Sequence, residues 1–323
     1  MSGEFGLIAR HFVWPAPGAD LGVGDDAALL SVETGMQLVV STDLLVSGTH
    51  FLADTDAQRL GHKVLAVNLS DMAAMGARPR WATLALALPA VDETWLSAFA
   101  LGLRTLAQAQ STELVGGDTT RGPLTIGITI LGEVPRGQAL RRDRAQPGDD
   151  VWVSGTLGDA AVALAQLNGA HLPDAQLLDA AAFDQCRQRL EAPEPRVALG
   201  VALLGLANAA IDISDGFAAD LGHILERSGV AARVAYDRLP LSPALFGLRF
   251  KPSVVQAIIA GGDDYELCFT APRSARAQVE AAALAAGTPV TRCGEILAGV
   301  GLQLLDADGH TLPLARSGFD HFG

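Results

Sequence analysis

Val67-Asn68-Leu69-Ser70-Asp71-Met72-Ala73-Ala74-Met75-Gly76 sets a short polar word inside an apolar run. Leu60, Val64, Val67, Met72 and Met75 recur at helical spacing, which predicts a helix over about 56–76. Asn68 and Asp71 lie three apart and therefore share one of its faces. Five further words carry aspartate among Gly, Ser or Thr: Gly24-Asp25-Asp26, Ser41-Thr42-Asp43, Gly116-Gly117-Asp118, Asp212-Ile213-Ser214-Asp215-Gly216 and Gly261-Gly262-Asp263-Asp264. Each stands where a strand or helix is expected to end.

Working outward, 37–40 is a β-favouring run that delivers Ser41-Thr42-Asp43 at its end. A second helix fits 92–110, with Asp92 as N-cap and Trp95, Phe99, Leu103 and Leu106 as the buried stripe. Strands follow at 113–115, ending on Gly116-Gly117-Asp118, and at 124–134. The character then changes through Arg141-Arg142-Asp143-Arg144 and Pro147-Gly148-Asp149-Asp150 before a new strand, Val151-Trp152-Val153. The reading divides the chain into domains 1–140 and 141–323, since 323 residues exceed one ordinary core. The second half reads as helices at 157–167, 175–190, 195–206 and 217–227 and strands at 209–213, 232–236, 265–270 and 301–305, with a hairpin turn at Asp306-Ala307-Asp308-Gly309. Interleaved strands and helices make each half an α/β or α+β layer structure. Asp71 precedes Asp118 by 47 residues and Asp215 precedes Asp263 by 48, so both an internal duplication and coincidence stand open.

Carboxylates brought within about 4 Å of one another repel by roughly 4 kcal/mol per pair at an effective dielectric near 20, so converging aspartates call for a cation. Oxygen ligands with Ser, Thr and Asn beside them favour magnesium or calcium over zinc. Gly116-Gly117-Asp118-Thr119-Thr120 joins a permissive backbone to an acceptor cluster, as suits a nucleotide's phosphates and their metal; a tight turn is the competing reading. Asp212 and Asp215 sit three apart at a strand-to-helix junction, where they can share a metal cluster, and their spacing is not that of a helix–loop–helix calcium loop. Gly261-Gly262-Asp263-Asp264-Tyr265-Glu266 leads into a buried strand, which sets its acidic face at the rim of a sheet. Arg141, Arg142 and Arg144 form the densest basic patch, read either as a phosphate clamp or as a solvated linker. His50 directly follows a metal word, although a lone histidine is more often structural.

Composition excludes several classes. A formal net charge of -13 argues against nucleic acid or an anionic membrane as partner. Aromatic residues make up 5% of the chain, too few for a base-stacking platform. The three cysteines, Cys186, Cys268 and Cys293, lack metal-ligand spacing and read as buried small hydrophobes in a reducing compartment. No secretion signal opens the chain and no run of 18 apolar residues crosses a membrane, so a cytoplasmic protein is expected. There is no Gly-x-x-x-x-Gly-Lys-Ser/Thr phosphate loop, no protein-kinase His-Arg-Asp with Asp-Phe-Gly, and no Gly-x-Ser-x-Gly elbow.

Taken in order, these words resemble the thiamine-monophosphate kinase family, within the aminoimidazole ribonucleotide synthetase-like superfamily. The segments 67–76 and 116–122 carry the most specific part of the likeness, which runs from Gly3-Glu4-Phe5 to Gly318-Phe319-Asp320-His321-Phe322. The resemblance implies ATP-dependent phosphorylation of thiamine monophosphate to thiamine diphosphate. It also implies a homodimer joined through N-terminal α/β domains, and ATP with several Mg2+ ions near the junction with the C-terminal α/β domain. By motif match, Asp26, Ser41, Thr42, Asp43, Asp71, Asp118, Asp212 and Asp215 would hold metal, with Asp71 and Asp215 the leading catalytic candidates. Gly117, Asp118, Arg142 and Ser214 would contact ATP, and His50, Asp263 and Phe319 the thiamine substrate. The chain departs from the family at Asp263, where Glu is usual. The other readings are a magnesium-dependent phosphatase, a nucleotide- or metal-sensing module, or another ATP-using member of the superfamily; a selenophosphate synthetase is disfavoured because no Cys precedes Cys186.

Overall fold

In a computed structural model residues 4–169 and 178–312 are described. Backbone contacts divide the chain into two units, Met1–Met72 with Ala77–Gly137 and Ala73–Gly76 with Gln138–Gly323. The first contains α1 (Glu4–His11), β1 (Met36–Val46), most of α2 (Ala57–Ala74), β2 (Arg78–Leu88), α3 (Glu93–Ala109), β3 (Glu113–Arg121) and β4 (Thr125–Pro135).

These strands form one sheet in the order β1-β4-β2-β3. β4 lies between β1 and β2 and runs antiparallel to both, although each is distant from it in sequence, whereas β2 and β3 run parallel because α3 carries the chain back between them. One face is apolar and buried, built from Leu45, Leu84, Leu86, Ile126, Ile128 and Ile130. The start of α3 is fixed as its sequence foretells: the Asp92 side chain accepts from the amides of Thr94 and Trp95. Trp95 stacks on Phe99 at 5.0 Å, but it is Leu96 beside it that is fully buried.

Two expectations are corrected here. Ser41-Thr42-Asp43 does not end a strand; β1 runs on to Val46, paired with β4 from Met36↔Pro135 to Val46↔Thr125. Likewise β3 continues through Gly116-Gly117-Asp118 to Arg121, with a register shift opposite Ala82 and Thr83. A complete run of cross-strand partners outweighs the low strand propensity of Gly and Asp.

The second unit contains β5 (Asp149–Ser154), α4 (Asp159–Leu167), α5 (Ala180–Glu191), α6 (Val197–Ala202), β6 (Ala209–Ile213), α7 (Phe217–Ser228), β7 (Ala231–Ala235), α8 (Pro243–Phe246), α9 (Pro252–Ala260), β8 (Glu266–Pro272), α10 (Arg276–Ala285), β9 (Val290–Leu297) and β10 (Gly301–Leu305). Its sheet has the order β10-β7-β9-β5-β8-β6. Val151, Val153, Ile211, Ile213, Phe217 and Ile296 fill the core, and Trp152 stacks on Phe269 at 6.2 Å. All three cysteines are buried, as their sequence context implies. Leu305 and Thr311 bridge antiparallel across the turn at Asp306. Among the described residues no helix is long and apolar enough to cross a membrane.

The near-equal spacings of the aspartate words do not mark equivalent positions. Asp71 lies within α2 whereas Asp215 lies between β6 and α7, and Asp118 lies within β3 whereas Asp263 lies in the loop before β8.

Candidate active site

In the first unit, strand alternation sorts the residues of the Ser-Thr-Asp word onto two faces. Ser41 and Asp43 point towards α2, where the Ser41 hydroxyl donates to Asp71 Oδ2. The Asp43 amide donates to Asn68 Oδ1 at 3.3 Å, and Asn68 Nδ2 in turn bonds the Val64 carbonyl at 3.0 Å. The polar face of α2 is therefore seated on β1, and Ser41, Asp43, Asn68 and Asp71 come together. Asn68 is fully buried, which marks it as a positioning residue that its helical spacing from Asp71 already hints at.

Thr42 falls on the opposite face and bonds Thr129 Oγ1 at 2.9 Å. Asp118 is exposed and belongs to the row of Ala85, Gly127 and Leu44, one step from the row of Asp43. Asp26 is exposed in the segment before β1, its amide bonded to Asp25 Oδ1 at 2.9 Å. His50 follows the end of β1, and its Nδ1 accepts from the Val46 amide at 3.0 Å, which places the proton of the neutral ring on Nε2. Gly117 has a structural need of its own: a Cβ there would meet the Leu84 carbonyl oxygen at 1.9 Å.

In the second unit Asp212 is buried at the end of β6, and Ser214, Asp215 and Gly216 turn the chain into α7. The amides of those three residues all donate to Asp220 Oδ2, at 3.0, 3.1 and 3.1 Å. Asp220 thus holds the turn that presents Asp215. Its signal in sequence is an acid in the first turn of a helix that follows a Ser-Asp-Gly word, a variant of the capping box. The Gly261–Tyr265 loop packs against the same turn: the Asp263 amide bonds the Ser214 carbonyl at 2.9 Å and the Tyr265 amide that of Ile213 at 2.8 Å. This approach requires Gly262, whose Cβ would lie 2.4 Å from the Ser214 carbonyl oxygen. Asp263 and Tyr265 have φ of 68° and 48°, and the Tyr265 hydroxyl donates to Asp263 Oδ1 at 3.0 Å. Left-handed backbone at two non-glycine residues costs of order 1–3 kcal/mol each, and such strain concentrates at functional loops.

The acidic face of this loop is not at a sheet rim. Asp264 and Glu266 are 3% and 0% exposed. Glu266 accepts Arg196 through Nε and Nη2, both at 2.7 Å, as well as Arg189 and the Ser154 hydroxyl at 2.6 Å. The sequence offered no sign of this network, because its cations lie 70 or more residues from their partner. Asp264 accepts the Gly158 amide at 3.0 Å. In the arginine patch, Arg141 is tied to Asp143, Nε to Oδ1 at 2.8 Å, and Arg142 is exposed. Phe319 lies outside the described residues.

Burial, with the neighbouring Asp71 charge, pushes the Asp43 carboxyl up to about 6. Burial likewise raises Asp220 to about 7; the three amides oppose the shift and the Asp215 charge adds to it. Both groups keep a proton in the folded chain at a pH where the unfolded chain, near 3.8, has lost it. Their contribution to stability is therefore lost as pH rises through that window. For Asp43, a shift of two pKa units corresponds to about 3 kcal/mol at most. In metal-free buffer the melting temperature of Asp43→Asn, relative to the unsubstituted protein, should climb between pH 4 and 6 and then level off. A constant difference in scanning calorimetry would contradict this origin of the shift.

The AIR synthase related protein, N-terminal domain family matches residues 24–134, and the AIR synthase related protein, C-terminal domain family matches 146–306. Thiamine-monophosphate kinase of Escherichia coli (strain K12) is 45% identical over 323 residues, 99% of this chain and 98% of the relative. The chain belongs to the thiamine-monophosphate kinase family. The crystal structure of the Stenotrophomonas maltophilia K279a member superposes with a TM-score of 0.84 at 50% identity, covering 95% of this chain and 96% of that one. AaThiL complexed with AMPPCP and TMP superposes with a TM-score of 0.77 at 29% identity, covering 99% and 97%.

Proposed function

We propose that the chain transfers the γ-phosphoryl group of ATP in line to the phosphate of thiamine monophosphate, giving thiamine diphosphate, with the assistance of several Mg2+ ions. The observation that carries this reading is the match to thiamine-monophosphate kinase along 99% of the chain. The acceptor oxygen is already anionic, so the reaction needs no strong general base; the difficulty is bringing two anions together.

The donor chemistry fits magnesium. Ser41, Asp43 and Asp71 offer only oxygen, and Asp43 carries its charge at a cost that a divalent cation would remove. In this reading Ser41, Asp43 and Asp71 hold one ion, while Asp26, Thr42 and Asp118, and in the second unit Asp212 and Asp215, hold metal directly or through water. Mg2+ bound there would supply charge neutralisation and alignment of the reacting oxygens. Gly117, Asp118, Arg142 and Ser214 contact ATP. His50, Asp263 and Phe319 hold the thiamine phosphate, Asp263 offering a carboxylate to its cationic thiazolium ring. Val46 fixes the His50 ring from one side, and Asp220 holds the turn of Ser214 and Asp215 without touching substrate.

Mass spectrometry after mixing purified protein, ATP, magnesium and thiamine phosphate should detect thiamine diphosphate. Inorganic phosphate without thiamine diphosphate would instead support a magnesium-dependent phosphatase, and ATP binding without product a sensing module.

The same reading makes the protein a cytoplasmic homodimer. On β1 the face turned away from α2 leaves Leu38, Val40 and Leu44 45%, 54% and 58% exposed, an apolar stripe suited to a second copy. Leu44→Asp should convert a dimer to a monomer in light scattering. A wild-type protein that is already monomeric at micromolar concentration would contradict this.

A further inference from the structure

Outside the residues discussed so far, the second unit has a cavity of about 420 Å³ lined by Arg233, Arg238, Arg273, Arg276 and Arg292, together with Asp150 and Glu295. The sheet register explains part of this convergence. Arg233 on β7, Glu295 on β9 and Asp150 on β5 are cross-strand neighbours in one row. Arg292 comes from the same strand as Glu295, next to the point where the β5–β9 register shifts. Arg238 closes the 3-10 turn after β7, Arg273 opens the turn after β8, and Arg276 opens α10.

The two acids act as struts for the guanidinium groups. Asp150, whose side chain is 2% exposed, takes Arg276 through two bonds of 2.6 and 2.7 Å and Arg292 at 3.5 Å. Glu295 takes Arg273 at 2.7 Å and Arg233 at 3.6 Å. Among the described residues Arg238 pairs with no carboxylate. Five guanidinium groups against two carboxylates leave a surplus of three positive charges in a chain whose formal net charge is -13. No lysine lines the cavity, and arginine is the side chain whose planar fork binds phosphate oxygens in pairs.

We propose that this cavity is a second, non-catalytic anion site, which takes the diphosphate group of a small molecule without a metal ion. The charge surplus matches a diphosphate better than a single phosphate. The volume lies in the range of small-ligand pockets. Nucleic acid is disfavoured by the strongly acidic remainder of the chain. The cavity stands independently of the proposed kinase reaction, because none of its residues belongs to the acidic groups described above.

Calorimetric titration of the full-length protein with inorganic pyrophosphate, in buffer freed of divalent ions by a chelating resin, tests the proposal. Saturable binding is expected, at least tenfold tighter than that of orthophosphate. The double variant Arg233→Ala, Arg238→Ala should weaken it by roughly tenfold or more, the scale of losing hydrogen bonds to a charged group, while leaving turnover unchanged. Both side chains are exposed, so its melting temperature should match that of the unsubstituted protein. Asp71→Asn should bind pyrophosphate as the unsubstituted protein does, which separates this site from the catalytic one. Titrations with ADP and thiamine diphosphate identify the source: equal affinities mean that the diphosphate alone is read, and a tighter one names the organic half. No binding of pyrophosphate, binding indifferent to the arginine variant, or tighter binding of a polyglutamate peptide would each overturn the proposal.

Discussion

Asp71→Asn is expected to lower the rate of thiamine diphosphate formation by roughly 10³-fold or more, the scale that follows when about 4 kcal/mol of charge stabilisation is lost. The substitution keeps the size of the side chain and leaves an oxygen to accept the Ser41 hydroxyl. What it removes is a negative charge beside Asp43. In metal-free buffer that removal relieves repulsion, so the melting temperature should hold or rise while activity collapses. A structural role alone would move stability and activity together. Asp215→Asn should behave alike in rate, because Asp220 holds its turn through backbone amides that the substitution leaves in place. Steady-state assays paired with thermal melts check both variants, and an Asp71→Asn protein with normal turnover would remove Asp71 from the machinery.

The largest effect on stability is expected at Glu266. Its carboxylate is fully buried and carries two arginines, Arg196 at 8% and Arg189 at 19% side-chain exposure. Glu266→Gln removes the buried carboxylate that both guanidinium groups share, leaving Arg196 only the exposed Glu194, and breaking a buried pair from one side costs about 3–5 kcal/mol. For a unit of this size the melting temperature should fall by about 10 °C. The same residue abuts the strained Asp263–Tyr265 loop, so activity should also fall at assay temperatures near the new transition. Urea unfolding measures the loss; a change below about 1 kcal/mol would show that the network is dispensable.

How much of this was legible in the sequence depends on the distance over which each feature is determined. The N-cap of α3 and the whole of β6 were readable because Asp92, and the apolar run ahead of Ser214, specify them locally. Arg78–Leu88 was not, because Ala and Leu carry little strand preference and β2 exists by pairing on both sides with β3 and β4. The same long-range pairing carries β1 and β3 through words that look like terminators. At the candidate site, Ser41, Asp43 and Asp71 could be singled out by residue type, and Asn68 by its helical spacing from Asp71. Asp220 left a local trace, an acid in the first turn after Ser-Asp-Gly, whereas Glu266 acts through arginines far away in sequence and left none.

The proposed reaction requires that divalent cations share the site before its carboxylates accept polyphosphate. The most direct measurement is the formation of thiamine diphosphate from ATP and thiamine phosphate with excess chelator, followed by return of magnesium to the same sample. No product is expected with chelator and full recovery with magnesium; undiminished product in excess chelator would show that the transfer needs no divalent cation.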